Sequence, residues 1–118
     1  MKPNLSNLSD NLSELQTEYA WLQRQLARRG WISHGYVQDR GPGAGGPCYQ
    51  WSRKELKKTV SVALSKEQYL WMKEAIANWR HVQQTLKRME QISRIVLFRT
   101  IPEPPRRKPL SKRVLGLN

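Results

Sequence analysis

The chain has 118 residues, enough for one small domain, with 21 Lys and Arg against 9 Asp and Glu, for a net charge of +12. A single cysteine, Cys48, excludes an internal disulfide framework and fits a reducing compartment. There is no charged start leading into an apolar run, and no apolar stretch is longer than four residues, as in Ile95-Val96-Leu97-Phe98, far short of a membrane span. The expectation is a cytoplasmic protein that does not enter a membrane.

Leu5, Leu8, Leu12, Leu15, Tyr19, Leu22 and Leu26 alternate spacings of three and four, a heptad seam that predicts a first helix packed on another helix. Ser9, Asp10 or Ser13 can cap its start, and the Ser- and Asn-rich opening predicts frayed first turns. Arg24, Arg28 and Arg29 suit its C-terminus. Gly30 is expected to end it in the left-handed conformation. Whether the partner helix belongs to the same chain or to a second copy is open, and a homodimer through Leu5–Leu26 is one expectation.

Trp31 to Val37 reads as a first strand, weakened by Gly35. Gly41-Pro42-Gly43-Ala44-Gly45-Gly46-Pro47 then excludes helix and ladder strand. Cys48 to Ser52 predicts a second strand and Lys58 to Leu64 a third, joined through Arg53 to Lys57 without the Asn-Gly or Asp-Gly of the favoured hairpin turns. So small a meander needs a helix across one face. Ser65 with Gln68 three residues on has the pattern of a capping box. Tyr69, Met72, Ile76 and Trp79 mark one helical face, which Ala75, Val82, Leu86, Met89 and Val96 extend. No Gly or Pro interrupts Lys66 to Ile101, so a helix of about 30 residues is predicted, longer than usual. Its first half would cover the sheet and its second half the leucine seam. From Pro102 the chain is proline-rich and basic, and is expected to be a disordered cationic tail.

The expected class is therefore α+β: an N-terminal helix, a small three-stranded antiparallel β-meander, and a long C-terminal helix packing on both. Residues 1–101 would form a single domain and 102–118 the tail.

Catalytic constellations are missing. His34 and His81 lie in different elements, no Cys/His spacing suits zinc, and the acidic residues show no D-x-D pattern of the kind a metal-dependent nuclease needs. The glycine-rich stretch lacks the Gly-Lys-Ser/Thr ending of a P-loop. The expectation is a protein that is not an enzyme and holds no cofactor or metal. Charge is uneven instead: Met1 to Gly30 carries four basic and three acidic residues, the remainder seventeen and six. Such a field favours a polyanion.

Four cations, Arg53, Lys54, Lys57 and Lys58, surround one anion in the second turn. A two-stranded ribbon fits the DNA major groove, where cations reach phosphates or guanine edges. Tyr36, Tyr49 and Trp51 either fill the core or stack on exposed bases. Arg106, Arg107, Lys108, Lys112 and Arg113 of the tail would act as a sequence-independent clamp. Arg80, Lys87, Arg88 and Arg94 fall on what reads as the solvent face of the long helix. Two functions follow: a nucleic-acid binder, DNA ahead of RNA, or a helical interaction or dimerisation module whose charge is incidental.

Gly46-Pro47-Cys48-Tyr49-Gln50-Trp51-Ser52-Arg53-Lys54, followed by Lys58-Thr59-Val60-Ser61, resembles an uncharacterised family of small bacterial proteins. In that family a Gly-Pro-Tyr-Tyr-like strand, an Arg-Lys turn and a Gly-Lys-Thr strand precede a long helix. Its members often accompany insertion-sequence transposases, so the resemblance implies an accessory role at a mobile element. Many members carry a cysteine-rich loop before the Gly-Pro. Gly41 to Gly46 has no cysteine, so a metal role suggested by those cysteines does not carry over to this chain.

Overall fold

The computed structural model describes residues 11–43, 45–46 and 48–117. Element order is α1 (Leu12–Arg28), β1 (Tyr36–Asp39), β2 (Tyr49–Glu55), β3 (Lys58–Leu64), α2 (Lys66–Thr100) and α3 (Lys112–Leu115). The strands form one antiparallel sheet in the order β1-β2-β3. This is the expected α+β arrangement. The chain divides into two compact units, one of residues 29–82 and one of residues 1–28 with 83–118. The 35 residues of α2 contribute to both.

In the first unit the sheet has two distinct faces. The register puts Tyr49, Trp51 and Arg53 of β2 on one face with Val60, Val62 and Leu64 of β3, and Ser52 and Lys54 on the other with Ser61 and Thr59. The first face meets α2, where the Tyr49 and Tyr69 rings lie 4.9 Å apart. Ala75 and Ile76 of α2 are buried. On the opposite face Ser52 is buried in the central strand and its hydroxyl is satisfied by that of Ser61 at 2.8 Å.

β1 is shorter and later than the expected Trp31–Val37. Trp31 to Ser33 bond to α2 instead of to β2: Asn78 Nδ2 donates to the Trp31 carbonyl at 3.0 Å and Ser33 N to the Ala75 carbonyl at 3.2 Å. Gly35 makes the corner between these partners. Its φ is +105°, and a Cβ there would lie 2.6 Å from both the Ser52 carbonyl and Trp51 Nε1. After β1, the Asp39 carboxylate accepts from Gly41 N and Arg40 N donates to the Cys48 carbonyl, so the glycine-rich loop is closed at its base. α2 starts as its sequence predicts. Ser65 N donates to Gln68 Oε1 at 2.9 Å and Gln68 N to Ser65 Oγ at 3.1 Å.

In the second unit α1 packs on the C-terminal half of α2 through Leu15, Leu22 and Ile92, with Leu12, Tyr19, Met89, Ile95 and Val96 around them. The seam over Leu12–Leu22 is therefore filled from within the chain; Leu5, Leu8, Ser9 and Asp10 lie outside the described residues. The N-cap of α1 is Asn11 and not Ser13: Asn11 Oδ1 accepts from Ser13 N and Glu14 N at 2.8 and 3.4 Å. At the other end Gly30 is not left-handed: positive-φ glycines begin at Gly35. Leu86, expected on the packed face of α2, is 42% exposed.

Arg88 is the larger departure. It is not a solvent-face cation but donates through both Nε and Nη2 to the carboxylate of Glu18, at 2.6 and 2.8 Å, and Glu18 is 4% exposed. These hydrogen bonds raise the guanidinium pKa against the opposing effect of burial. Past Pro102 the chain is irregular as far as Ser111, then makes the four residues of α3. Ser111 Oγ caps α3 at Val114 N, left-handed Gly116 closes it, and Gln91 Nε2 donates to the Gly116 carbonyl. Local sequence does not signal this capped turn, because Ser111 and Gly116 stand among prolines and cations with no apolar period.

Candidate nucleic-acid interface

The β2–β3 connection is tighter than the sequence suggests. Glu55 pairs with Lys58, so only Leu56 and Lys57 form the loop. Their φ values are 49° and 67°, the pair of positive angles that a type I′ turn requires. Neither is the Gly or Asn that adopts such angles readily, and each costs on the order of 1–2 kcal/mol in this conformation. β2 therefore extends to Glu55, taking Arg53 and Lys54 out of the predicted loop and into the ladder.

This places the four hairpin cations differently from one another. Arg53 is committed within the chain: its guanidinium lies 4.9 Å from the centre of the Trp51 ring, and its Nη2 is 2.8 Å from Glu55 Oε2. Lys54 stands on the opposite face of the sheet, Lys57 in the turn, and Lys58 on the face of Arg53. Lys54, Lys57 and Lys58 are exposed, and among the described residues none forms a salt bridge. The tip thus carries three ammonium groups fanned over both faces of a two-stranded ribbon, with Leu56 between them at 92% exposure.

The aromatic candidates have partners inside the chain. Tyr49 packs on Tyr69, and Trp51 donates Nε1–H to the His34 carbonyl at 3.0 Å beneath the Arg53 guanidinium. Both are half-buried, whereas Tyr36 is 47% exposed. The more open rings of this unit are Trp31 and Trp71, which the strand and helix patterns did not single out as site residues. Trp71 lies off the stripe of Tyr69, Met72, Ile76 and Trp79, which was the one available signal.

The tail cations lie in the other unit. Arg106 rests near Phe98, 5.7 Å from the ring centre, and within 3.7 Å of Glu103. Arg107 and Lys108 are exposed, and Lys112 and Arg113 are exposed on α3. Among the described residues no group of three or more His, Cys, Asp and Glu could hold a metal ion. No described helix is long and apolar enough to cross a membrane. No protein-family model, curated protein or solved structure matches the chain.

Proposed function

We propose that the protein is a cytoplasmic, non-catalytic nucleic-acid-binding accessory protein, DNA being favoured over RNA, with a role at a mobile element as its resemblance implies. The observation that carries this reading is the hairpin tip, where Lys54, Lys57 and Lys58 are exposed and unpaired on a ribbon of the width a major groove accepts. An isolated surface lysine is ordinary. Three around one hairpin tip, Lys57 in the turn and Lys54 and Lys58 in the strands beside it, in a chain of net charge +12, make a local concentration of positive field that phosphates neutralise. Arg53 serves the ribbon by bracing Trp51 and Glu55, and the lysines supply the contacts. Tyr49 and Trp51 act as the floor of the ribbon. Arg106, Arg107, Lys108, Lys112 and Arg113 add a sequence-independent attraction.

Salt dependence tests this. Each cation lost from a duplex phosphate flattens the slope of log affinity against log salt by about 0.9, so Lys57→Ala with Lys58→Ala flattens it by about 1.8 if both touch phosphate. A loss that instead varies with sequence marks a base contact, worth about 1–3 kcal/mol if bidentate. Deleting the chain from Pro102 flattens the slope and leaves any sequence preference intact. Wild-type binding by the hairpin variant, with binding abolished by the deletion, refutes the hairpin as the interface.

A second reading has its own observation. In the unit that holds α1, a groove of about 460 Å3 lined by Tyr19, Ala20, Val96, Leu97 and Ile101 leaves Leu97 43% and Ile101 59% exposed. With Leu15 and Leu22 already covered, a homodimer would use this groove in place of the seam. Sedimentation equilibrium that gives only monomer removes that reading.

A further inference from the structure

Trp31 and Trp71 form an exposed aromatic shelf in the unit of residues 29–82. Trp31 is 73% and Trp71 52% exposed, their ring centres are 6.4 Å apart, and the planes are tilted by 33°. Exposing two indoles forfeits the burial that usually makes Trp worth its size. The shelf is held in place from below. Asn78 Nδ2 fixes the Trp31 carbonyl, and Ser33 N bonds the Ala75 carbonyl, so the segment bearing Trp31 is anchored to α2.

A pocket of about 110 Å3 opens against the shelf, lined by Gly30, Trp31, Trp71, Glu74, Ala75 and Asn78. One water needs on the order of 10–15 Å3, so this space takes a group of several heavy atoms. The lining has no cation and one carboxylate. On α2, Glu67 and Glu74 stand four residues before and three after Trp71, so both flank it on the same side of the helix. Glu67 also lines a second hollow against Trp71, with Leu64, Gln68 and Met72. The nearest lysine in sequence, Lys73, is turned over the Tyr69 ring at 5.9 Å.

We propose that the Trp31–Trp71 shelf with Glu74 is a binding site for an organic cation, the guanidinium of an arginine or the trimethylammonium of a methylated lysine in a partner peptide. The π-faces attract a cation, most strongly one that is weakly hydrated. The carboxylate of Glu74 neutralises it, and the pocket is of the size of either head group. The same carboxylates disfavour a nucleotide, whose phosphate they repel, so this patch is distinct in chemistry from the lysine-rich hairpin of the same unit. In a chain of net charge +12 an aromatic pocket whose one charged lining residue is a carboxylate is the exception, and charge complementarity decides its occupant.

The test titrates the nitrogen-labelled full chain with acetyl-arginine methylamide, acetyl-trimethyllysine methylamide, the neutral acetyl-norleucine methylamide and adenosine monophosphate. The indole N–H resonances of Trp31 and Trp71, assigned with Trp31→Phe and Trp71→Phe, are the readout. Saturable shifts are expected from at least one cation and not from norleucine, and the arm that responds tells arginine from methylated lysine. Glu74→Gln should weaken binding by about two- to fivefold, the range of an exposed ion pair. Trp31→Ala, at an exposed position that leaves the fold intact, should abolish the response of Trp71. The proposal is overturned by no saturable response to either cation, by an equal response to norleucine, by a stronger response to the nucleotide, or by unchanged affinity in Glu74→Gln.

Discussion

Arg88→Met is the variant whose effect the geometry fixes most closely. The wild-type pair is a two-pronged one, with Nε–Oε2 at 2.6 Å and Nη2–Oε1 at 2.8 Å. The side chains are 17% and 6% exposed, so water screens neither well. Methionine keeps most of the aliphatic stem but leaves the Glu18 carboxylate without its counterion in a nearly dry position. Removing one partner of such a pair costs about 3–5 kcal/mol. Glu18→Gln costs less, about 1–2 kcal/mol, because the longer Arg88 retains some access to water and the amide oxygen still accepts. Replacing both residues by Leu and Met removes the charges together, and the double variant should lie within about 1 kcal/mol of wild type. Urea denaturation followed by circular dichroism at the helical band gives all three values. If Arg88→Met shifts stability by less than about 0.5 kcal/mol, the pair is solvated like a surface bridge and the argument from burial fails.

Three further outcomes follow from particular positions. Leu15→Ala should cost about 2.7–5 kcal/mol, since Leu15 is 1% exposed and packs on Ile92; an unmoved urea midpoint would contradict the helix pairing. Leu56→Asn should stabilise the hairpin by about 1 kcal/mol, because Asn tolerates the positive φ that Leu56 adopts at 49°, and a lower melting temperature would count against the type I′ turn. Gly35→Ala should destabilise by about 2 kcal/mol or more and move the indole N–H signal of Trp51, since its Cβ meets Trp51 Nε1 and the Ser52 carbonyl; a wild-type spectrum would refute that corner.

What the sequence could disclose was local chemistry. The Ser65–Gln68 box, the alternation of Lys58–Leu64 and the unbroken period beyond Lys66 each hold their signal within a few residues, and each forms in the structure as expected. Where structure depends on a distant partner, it departs from the local pattern. Trp31–Ser33 looks like strand by composition, yet Asn78 and the Ala75 carbonyl take its polar groups. Arg88 looks solvent-facing by period, yet Glu18 lies seventy residues away in sequence. The hairpin turn differs from expectation for another reason: Leu56-Lys57 adopts a conformation that neither residue favours, so its chemistry does not announce it. At the candidate interface the lysines were legible as a charge cluster. That Arg53 is occupied by Trp51 and Glu55, and that Trp31 and Trp71 are open, depends on tertiary placement.

The unit that buries Leu15 draws its parts from both sides of residues 29–82. Its pairing of α1 with the far half of α2 must close a long loop, and closure entropy grows as the logarithm of loop length, about 0.6 kcal/mol for each doubling. The β2–β3 hairpin needs only short-range contacts, which form fast. Once they are in place, the intervening chain is no longer a floppy loop but a folded insert, and the ends have less freedom left to lose. The strained Leu56-Lys57 turn and the Gly35 corner, whose φ values are 49°, 67° and 105°, should therefore set timing as well as architecture. Slowing them should delay the burial of Leu15, a residue they never touch.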